Sequence, residues 1–159
     1  MTKIIFLDFD GVLNSELFYT SGRADLGKVR SDIDPKSVSF LNNLIKATDA
    51  KVVVSSTWRL GRTVEELQKI LDAAGFKGEV IGTTPDMRKN SVFRGNEINF
   101  WMNENYKKFN FDQNNFRHYV IFDDDSDMLY WQRNNYIQID AYCGLTPNNV
   151  YCAEKILNS

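Results

Sequence analysis

The chain has 159 residues, room for one domain and scarcely two, and its 43% hydrophobic and 25% charged residues are an ordinary balance for a soluble globular fold. Its 19 Lys and Arg against 21 Asp and Glu give a formal charge of −2, which excludes attachment to nucleic acid by bulk charge but not a local basic patch. Apolar runs stop at four residues (IIFL, YVIF, MLYW), and Asp8 and Asp10 interrupt the only apolar N-terminal stretch, so neither a membrane span nor a secretory signal is expected. Cys143 and Cys152 are too few for a disulfide framework. With the single His118 they cannot complete a zinc site unless carboxylates help, so reduced thiols in a cytoplasmic protein are expected.

In chain order, short β-type runs alternate with helical patterns. Lys3 to Leu7 leads into Asp8, and Lys51 to Val54 into Ser55-Ser56. Glu79 to Ile81 follows, then Tyr119 to Phe122 into Asp123, and Tyr136 to Ile139 closes at Asp140. Apolar residues on consecutive positions mark strands covered on both faces. Between them, Asp34-Pro35 starts a helix with Val38, Leu41, Leu44, Ile45 and Thr48 on one face. Thr63 and Glu66 form a capping box before Leu67, Ile70, Leu71 and Ala74, and Gly75 stops that helix. Helical spacing recurs from Gly95 to about Tyr106. A short helix is expected from Ser126, and a last one from Thr146-Pro147. The strict alternation predicts an α/β fold: a mostly parallel five-stranded sheet, Rossmann-like, in a three-layer sandwich with helices on both faces.

Two segments break the pattern. Residues 14–33 read as a polar insertion, a short flap after the first strand of a single domain spanning 1–159. Residues 107–118 (KKFNFDQNNFRH) form a polar connection dotted with aromatics. These either stack on a nucleic acid or pin down a long loop, the second being the commoner use.

In parallel α/β sheets ligands bind at the carboxyl ends of the strands. Here those ends read Asp8-Phe9-Asp10-Gly11, Ser55-Ser56-Thr57-Trp58-Arg59 and Asp123-Asp124-Asp125-Ser126-Asp127. Two acidic clusters on one rim repel unless a cation lies between them, and carboxylates without neighbouring His or Cys select a hard ion such as Mg²⁺. Asp8 and Asp10 point the same way in extended backbone. One can bind the metal and attack phosphorus, the other can protonate the leaving oxygen and then activate water, and Gly11 lets the chain turn away. Trp58 either stacks on a base or sugar or packs into the core; Arg59 either reaches a second phosphate or carboxylate or pairs locally.

The string FLDFDGVLN resembles the first motif of the haloacid dehalogenase superfamily of phosphohydrolases, VVVSS its second and VIFDDD its fourth. The resemblance spans nearly the whole chain. It implies that Asp8 is the nucleophile that becomes an aspartyl-phosphate, and that Asp10 is the general acid and base, also reaching the metal through its backbone. It implies that Ser55 or Ser56 binds the transferring phosphate, and that Asp123 and Asp124, with Asp127 a further candidate, join Asp8 in holding Mg²⁺. The family's usual third-motif Lys is missing. Arg94 stands in the expected place, with Lys89 as competitor, and a guanidinium makes the same charge contact in a different geometry. The SSTWR ending and the Arg-Gly-x-Glu-Ile at Arg94 to Ile98 look like the small phosphatase domains associated with RNA repair and polynucleotide end-processing.

Neither gap where relatives insert a cap, residues 14–33 or Gly82 to Arg94, can build a separate core, so the site is expected to be open. An open site suits a phosphorylated substrate as large as an oligonucleotide end, with Arg23, Lys28, Arg30, Arg59, Arg62 and Arg88 supplying local charge. The expectation is thus a Mg²⁺-dependent phosphomonoester hydrolase. A generic small-molecule phosphatase and a non-catalytic phosphate- or metal-binding module are the alternatives. Asp10 argues against a dehalogenase, and the absence of GxxxxGK[ST] and GxGxxG motifs argues against a kinase or a dinucleotide cofactor.

Overall fold

The structure is a computed structural model that describes residues 1–25, 32–112 and 114–159. The five apolar runs form strands β1 (Ile4–Leu7), β2 (Lys51–Val54), β3 (Val80–Thr83), β4 (Tyr119–Asp123) and β5 (Tyr136–Gln138). They make one sheet in the order β3-β2-β1-β4-β5, and every pairing is parallel. The helices are α1 (Glu16–Thr20), α2 (Pro35–Thr48), α3 (Val64–Ala73), α4 (Arg94–Asn105) and α5 (Pro147–Leu157). The start signals act as their chemistry dictates. Asp34 accepts from the N–H of Lys36, and Thr63 with Glu66 closes a capping box, as does Thr146 with Asn149.

The period of two divides each strand between two cores. Ile5, Leu7, Val52, Val54, Val120 and Phe122 pack with α2, α3 and α5. Ile4, Phe6, Val53, Tyr119 and Ile121 pack against Ile98, Trp101 and Met102 of α4. The predicted three layers are therefore present, with three helices on one face and α4 on the other. Trp101 meets Phe6 edge-on at 5.5 Å. Burying a large side chain of this kind is worth roughly 1.5–3 kcal/mol.

Residues 106–118 run from the end of α4 to the start of β4. Phe109 stacks on Trp101 at 5.7 Å, Phe111 is buried against Tyr119, and Asn110 accepts from the N–H of Thr2 at the amino end of the sheet. Phe109 and Phe111 are thus packed at the end of the sheet opposite the Asp8 rim. These two aromatics therefore do not serve as a platform for a strand lying over that rim. His118 is buried, and its Nδ1 accepts from the N–H of Asp112.

Two local readings change. The polar stretch after β1 contains the short helix α1, which closes over buried Phe18. The helix expected from Ser126 is only a 3₁₀ turn at Tyr130–Gln132. Ahead of it, Asp123 Oδ1 accepts from the N–H of Asp125 and Asp125 Oδ1 from that of Ser126, so side chains take the backbone donors that a helix would have used. Among the described residues no helix is long and apolar enough to cross a membrane, and both cysteines are free and exposed.

Candidate active site

The alternation that builds the cores also builds the site. Counting on by two from Phe6, Val53 and Ile121 places Asp8, Ser55 and Asp123 on the α4 side. The ladder continues past the strands: Asp8 N–H donates to Phe122 O, and Ser55 N–H to Leu7 O, both at 3.0 Å. The three polar residues therefore stand level across the carboxyl edge of β4, β1 and β2.

Arg94, the first residue of α4, is aimed at this row. Its Nη1 lies 3.2 Å from Asp8 Oδ1 and 3.1 Å from Asp123 Oδ2. Asp127 fixes the start of that helix, because its Oδ2 accepts from the N–H of Arg94 at 2.9 Å and its carbonyl from that of Gly95. Gly95 has no room for a side chain there: a Cβ would fall 2.5 Å from Leu129 N.

Carboxylate oxygens of Asp8, Asp123 and Asp124 all lie within 4.8 Å of one another. Burial pushes the Asp8 carboxyl above the ordinary 3.8, more than Arg94 can offset, and Asp124 adds to it. Burial likewise raises Asp123, with repulsion from Asp8 in the same direction. Burial also acts against the charge of Arg94, but Asp123 and Asp8 outweigh it and its pKa is raised. Three carboxylates against one guanidinium leave an excess of negative charge in a largely dry place. An all-oxygen donor set with that excess fits a hard divalent cation.

Asp10 stands one turn further out and is exposed. Its Oδ1 accepts from Trp58 Nε1 and from Asn14 Nδ2, each at 3.0 Å. Gly11 makes the turn with φ +79, and a Cβ there would fall 2.5 Å from Asp124 Oδ2, so only glycine brings the two acidic segments this close. Beside Asp10 and Asp124 opens a cleft of about 340 Å³, lined also by Gly11, Asn14, Glu16, Tyr19 and Ala141.

The chain matches the family model of the HAD domain in Swiss Army Knife RNA repair proteins over residues 4–150. The chain belongs to this family. It is thus a member of the haloacid dehalogenase superfamily linked to RNA repair, on the Rossmann-like α/β fold expected of it. No match was found among curated proteins or among solved structures.

Within this HAD domain, the residues singled out from the sequence separate into those that face the row and those that support it. Arg59 is a supporting residue. It is buried, and it donates to the carbonyls of Ser55, Ser56, Thr84 and Pro85 and to Glu97 Oε2, so it has no reach to a second phosphate. Trp58 is half-buried, edge-on to Phe9 at 5.3 Å, and its polar edge is turned to Asp10. Asp127 uses Oδ2 to cap α4 and stands outside the three-carboxylate group. Lys89 is exposed in the 3₁₀ turn at Arg88–Asn90, while Arg94 contacts the row. Ser56 Oγ accepts from the N–H of Trp58, whereas Ser55 Oγ is buried with no partner among the described residues.

Three functional neighbours escaped the sequence reading. Thr84 follows β3 next to Ser55, and its Oγ1 is also buried without a partner among the described residues. Glu97 was visible only as part of the Arg-Gly-x-Glu-Ile string, and Asn14 only as the end of FLDFDGVLN. The basic residues expected to draw in nucleic acid are partly committed elsewhere: Arg23 pairs with Asp34 and Arg88 with Asp86. Lys28 and Arg30 lie outside the described residues.

Proposed function

We propose that the chain is a Mg²⁺-dependent phosphomonoesterase that removes a terminal phosphate from RNA through an aspartyl-phosphate on Asp8. The observation that carries this reading is the carboxylate cluster at the carboxyl edge: Asp8 and Asp123 bridged by Arg94, with Asp124 within 4.8 Å of both and Asp10 two residues beyond Asp8. Asp8, Asp123 and Asp124 would hold the metal. The chemistry it supplies when bound is charge neutralisation, letting an anionic nucleophile approach an anionic phosphate.

The chain's own residues divide the rest. An oxygen of Asp8 attacks phosphorus, and the bond to the leaving oxygen breaks with its electron pair on that oxygen. Asp10 gives that oxygen a proton. It then takes one from water as the water attacks phosphorus and frees Asp8. Arg94 stays beside Asp8 and offsets charge as it builds on the phosphate oxygens. The Ser55 hydroxyl, without a partner among the described residues, is the better placed of the two serines to bind a phosphate oxygen.

Support for an RNA end comes from the family's association with RNA repair and from the short connections at the two cap positions. Among the described residues the cleft beside Asp10 is lined by acids and a tyrosine, with no lysine or arginine, which suits a terminal nucleoside better than a run of phosphates. The test is hydrolysis of 3′- and 5′-phosphorylated oligonucleotides and the matching mononucleotides, with Mg²⁺ or with excess chelator, by the wild type and by Asp8→Asn. The expected result is Mg²⁺-dependent release of phosphate, faster from an oligonucleotide and absent in the variant. Full activity in chelator would overturn the metal assignment, and equal efficiency on all four substrates would leave a general phosphatase.

A further inference from the structure

The hydrogen bonds around Asp10 go beyond a list of motif residues. We propose that Trp58 is a positioning residue for Asp10, its indole N–H holding the carboxylate in the orientation from which proton transfer to the leaving oxygen occurs. The proposal rests on the phosphatase reading above.

Asp10 is exposed, and an exposed aspartate ordinarily rotates freely about its side-chain bonds. Here two donors converge on one of its oxygens: Trp58 Nε1 and Asn14 Nδ2 both reach Oδ1 at 3.0 Å. Among the described residues no such bond goes to Oδ2. An oxygen that already accepts two hydrogen bonds is committed as an acceptor, so the proton of the acid form belongs on Oδ2. The carboxyl group is thereby given both an orientation and a reactive oxygen.

Each donor is itself held. Asn14 is buried, and its Oδ1 accepts from the N–H of Gly11 at 3.0 Å, tying it to the turn that carries Asp10. The Trp58 ring packs edge-on against Phe9, and the Arg62 guanidinium lies 5.8 Å from its centre. The Trp58 backbone N–H donates to Ser56 Oγ, and Arg59, next in the chain, is locked into the carbonyls behind β2. The indole therefore reaches Asp10 from a braced strand end, so this acid is positioned in advance of substrate. Trp58 itself transfers no proton. As the phosphorus–oxygen bond breaks, the leaving oxygen keeps the electron pair and takes the proton from Asp10, whose carboxylate charge is left facing the indole N–H.

The experiment compares wild type and Trp58→Phe on p-nitrophenyl phosphate, whose leaving group departs without a proton, and on a 3′-phosphorylated oligonucleotide, whose alkoxide needs one. Phenylalanine keeps the ring packing and deletes the N–H. The expected result is a fall in kcat of about tenfold on the oligonucleotide, a change within about twofold on the nitrophenyl ester, and KM little altered, since a general acid is worth ~10²–10⁴ and only its placement is lost. Equal losses on both substrates, or a loss confined to KM, would overturn the positioning role while leaving the phosphatase reading intact. A wild type inert toward both substrates in Mg²⁺ would overturn that reading and this one with it. A readout free of turnover is the indole N–H signal of Trp58 in ¹H–¹⁵N spectra, identified by its disappearance in Trp58→Phe. Asp10→Ala should shift it and leave the signals of Trp101 and Trp131 in place, and an unmoved Trp58 signal would rule out the hydrogen bond.

Discussion

Arg59 and Glu97 meet at 3.0 Å with only 4% of either side chain exposed. They come from the strings SSTWR and Arg-Gly-x-Glu-Ile, and they join the end of β2 to the start of α4. Glu97 spends its other oxygen on the N–H of Met87, so the pair also anchors the segment between β3 and α4. Glu97→Ala should cost about 3–5 kcal/mol in urea unfolding, because it leaves a buried guanidinium unpaired. A loss under about 1 kcal/mol would mean that the carbonyls around Arg59 satisfy it without Glu97.

The pH dependence follows from the raised carboxyls of Asp8 and Asp123. A group whose folded pKa lies above its unfolded value holds its proton more tightly in the folded state. In chelator, stability should therefore be greatest at low pH with respect to these groups. It should fall as pH rises from the ordinary carboxylate value of 3.8 through the raised values of the pair. Mg²⁺ competes with those protons, so the rise in Tm that it produces should grow over the same interval. Calorimetric scans at stepped pH, with Mg²⁺ and with chelator, measure both slopes, and a Mg²⁺-induced shift that shrinks with increasing pH would contradict the assignment of these acids.

Arg94→Ala should lower kcat by roughly 10²–10³, the range seen when one preorganised charge donor is removed. Arg94→Lys should recover part of that loss, since an ammonium supplies the charge without the planar fork. Lys89→Ala should leave turnover unchanged. Single-turnover rates on one substrate separate the three, and a large defect in Lys89→Ala would reassign the cation.

The two serines can be told apart by opposite signatures. Ser55→Ala removes a buried hydroxyl with no partner among the described residues, so it should weaken turnover while leaving unfolding free energy nearly unchanged. Ser56→Ala removes the acceptor for the Trp58 N–H and should cost about 0.5–2 kcal/mol, as a lost cap does. Urea melts paired with kinetics on both variants decide it, and the reverse pattern would move the phosphate contact to Ser56.

Much of the fold was legible because buried parallel strands write themselves as unbroken apolar runs. KVVV and YVIF are such runs, and the serines that follow the one and the acids that follow the other mark the functional edge. What remained hidden was of two kinds. α1 is only five residues long, little more than one turn, so periodicity has no purchase on it. Partnerships were also hidden: Arg59 and Glu97 lie 38 residues apart and close only once α4 packs beside the end of β2, and Trp58 and Asp10 lie 48 apart and close only once β2 stands next to β1. The residue types announced chemistry, and the sheet decided which of them face it. That is why Trp58 and Arg59, adjacent and each open to a substrate or a packing role in the sequence, part in the fold: the Trp58 indole N–H turns to Asp10 while Arg59 is buried among carbonyls and Glu97.

The level row also limits how this chain can change in length. Asp8, Ser55 and Asp123 reach the α4 side because each lies an even step beyond a strand residue that faces α4. One residue inserted or deleted near the carboxyl ends of β1, β2 or β4 would turn the polar group toward α2, α3 and α5 and send an apolar one into the site. Two residues would shift the group along the edge but keep its side. Insertion scanning scored by activity would show alternation there, with odd changes lost and even ones partly kept. Parity, more than the exact spacing between motifs, is the constraint under which this edge can diverge.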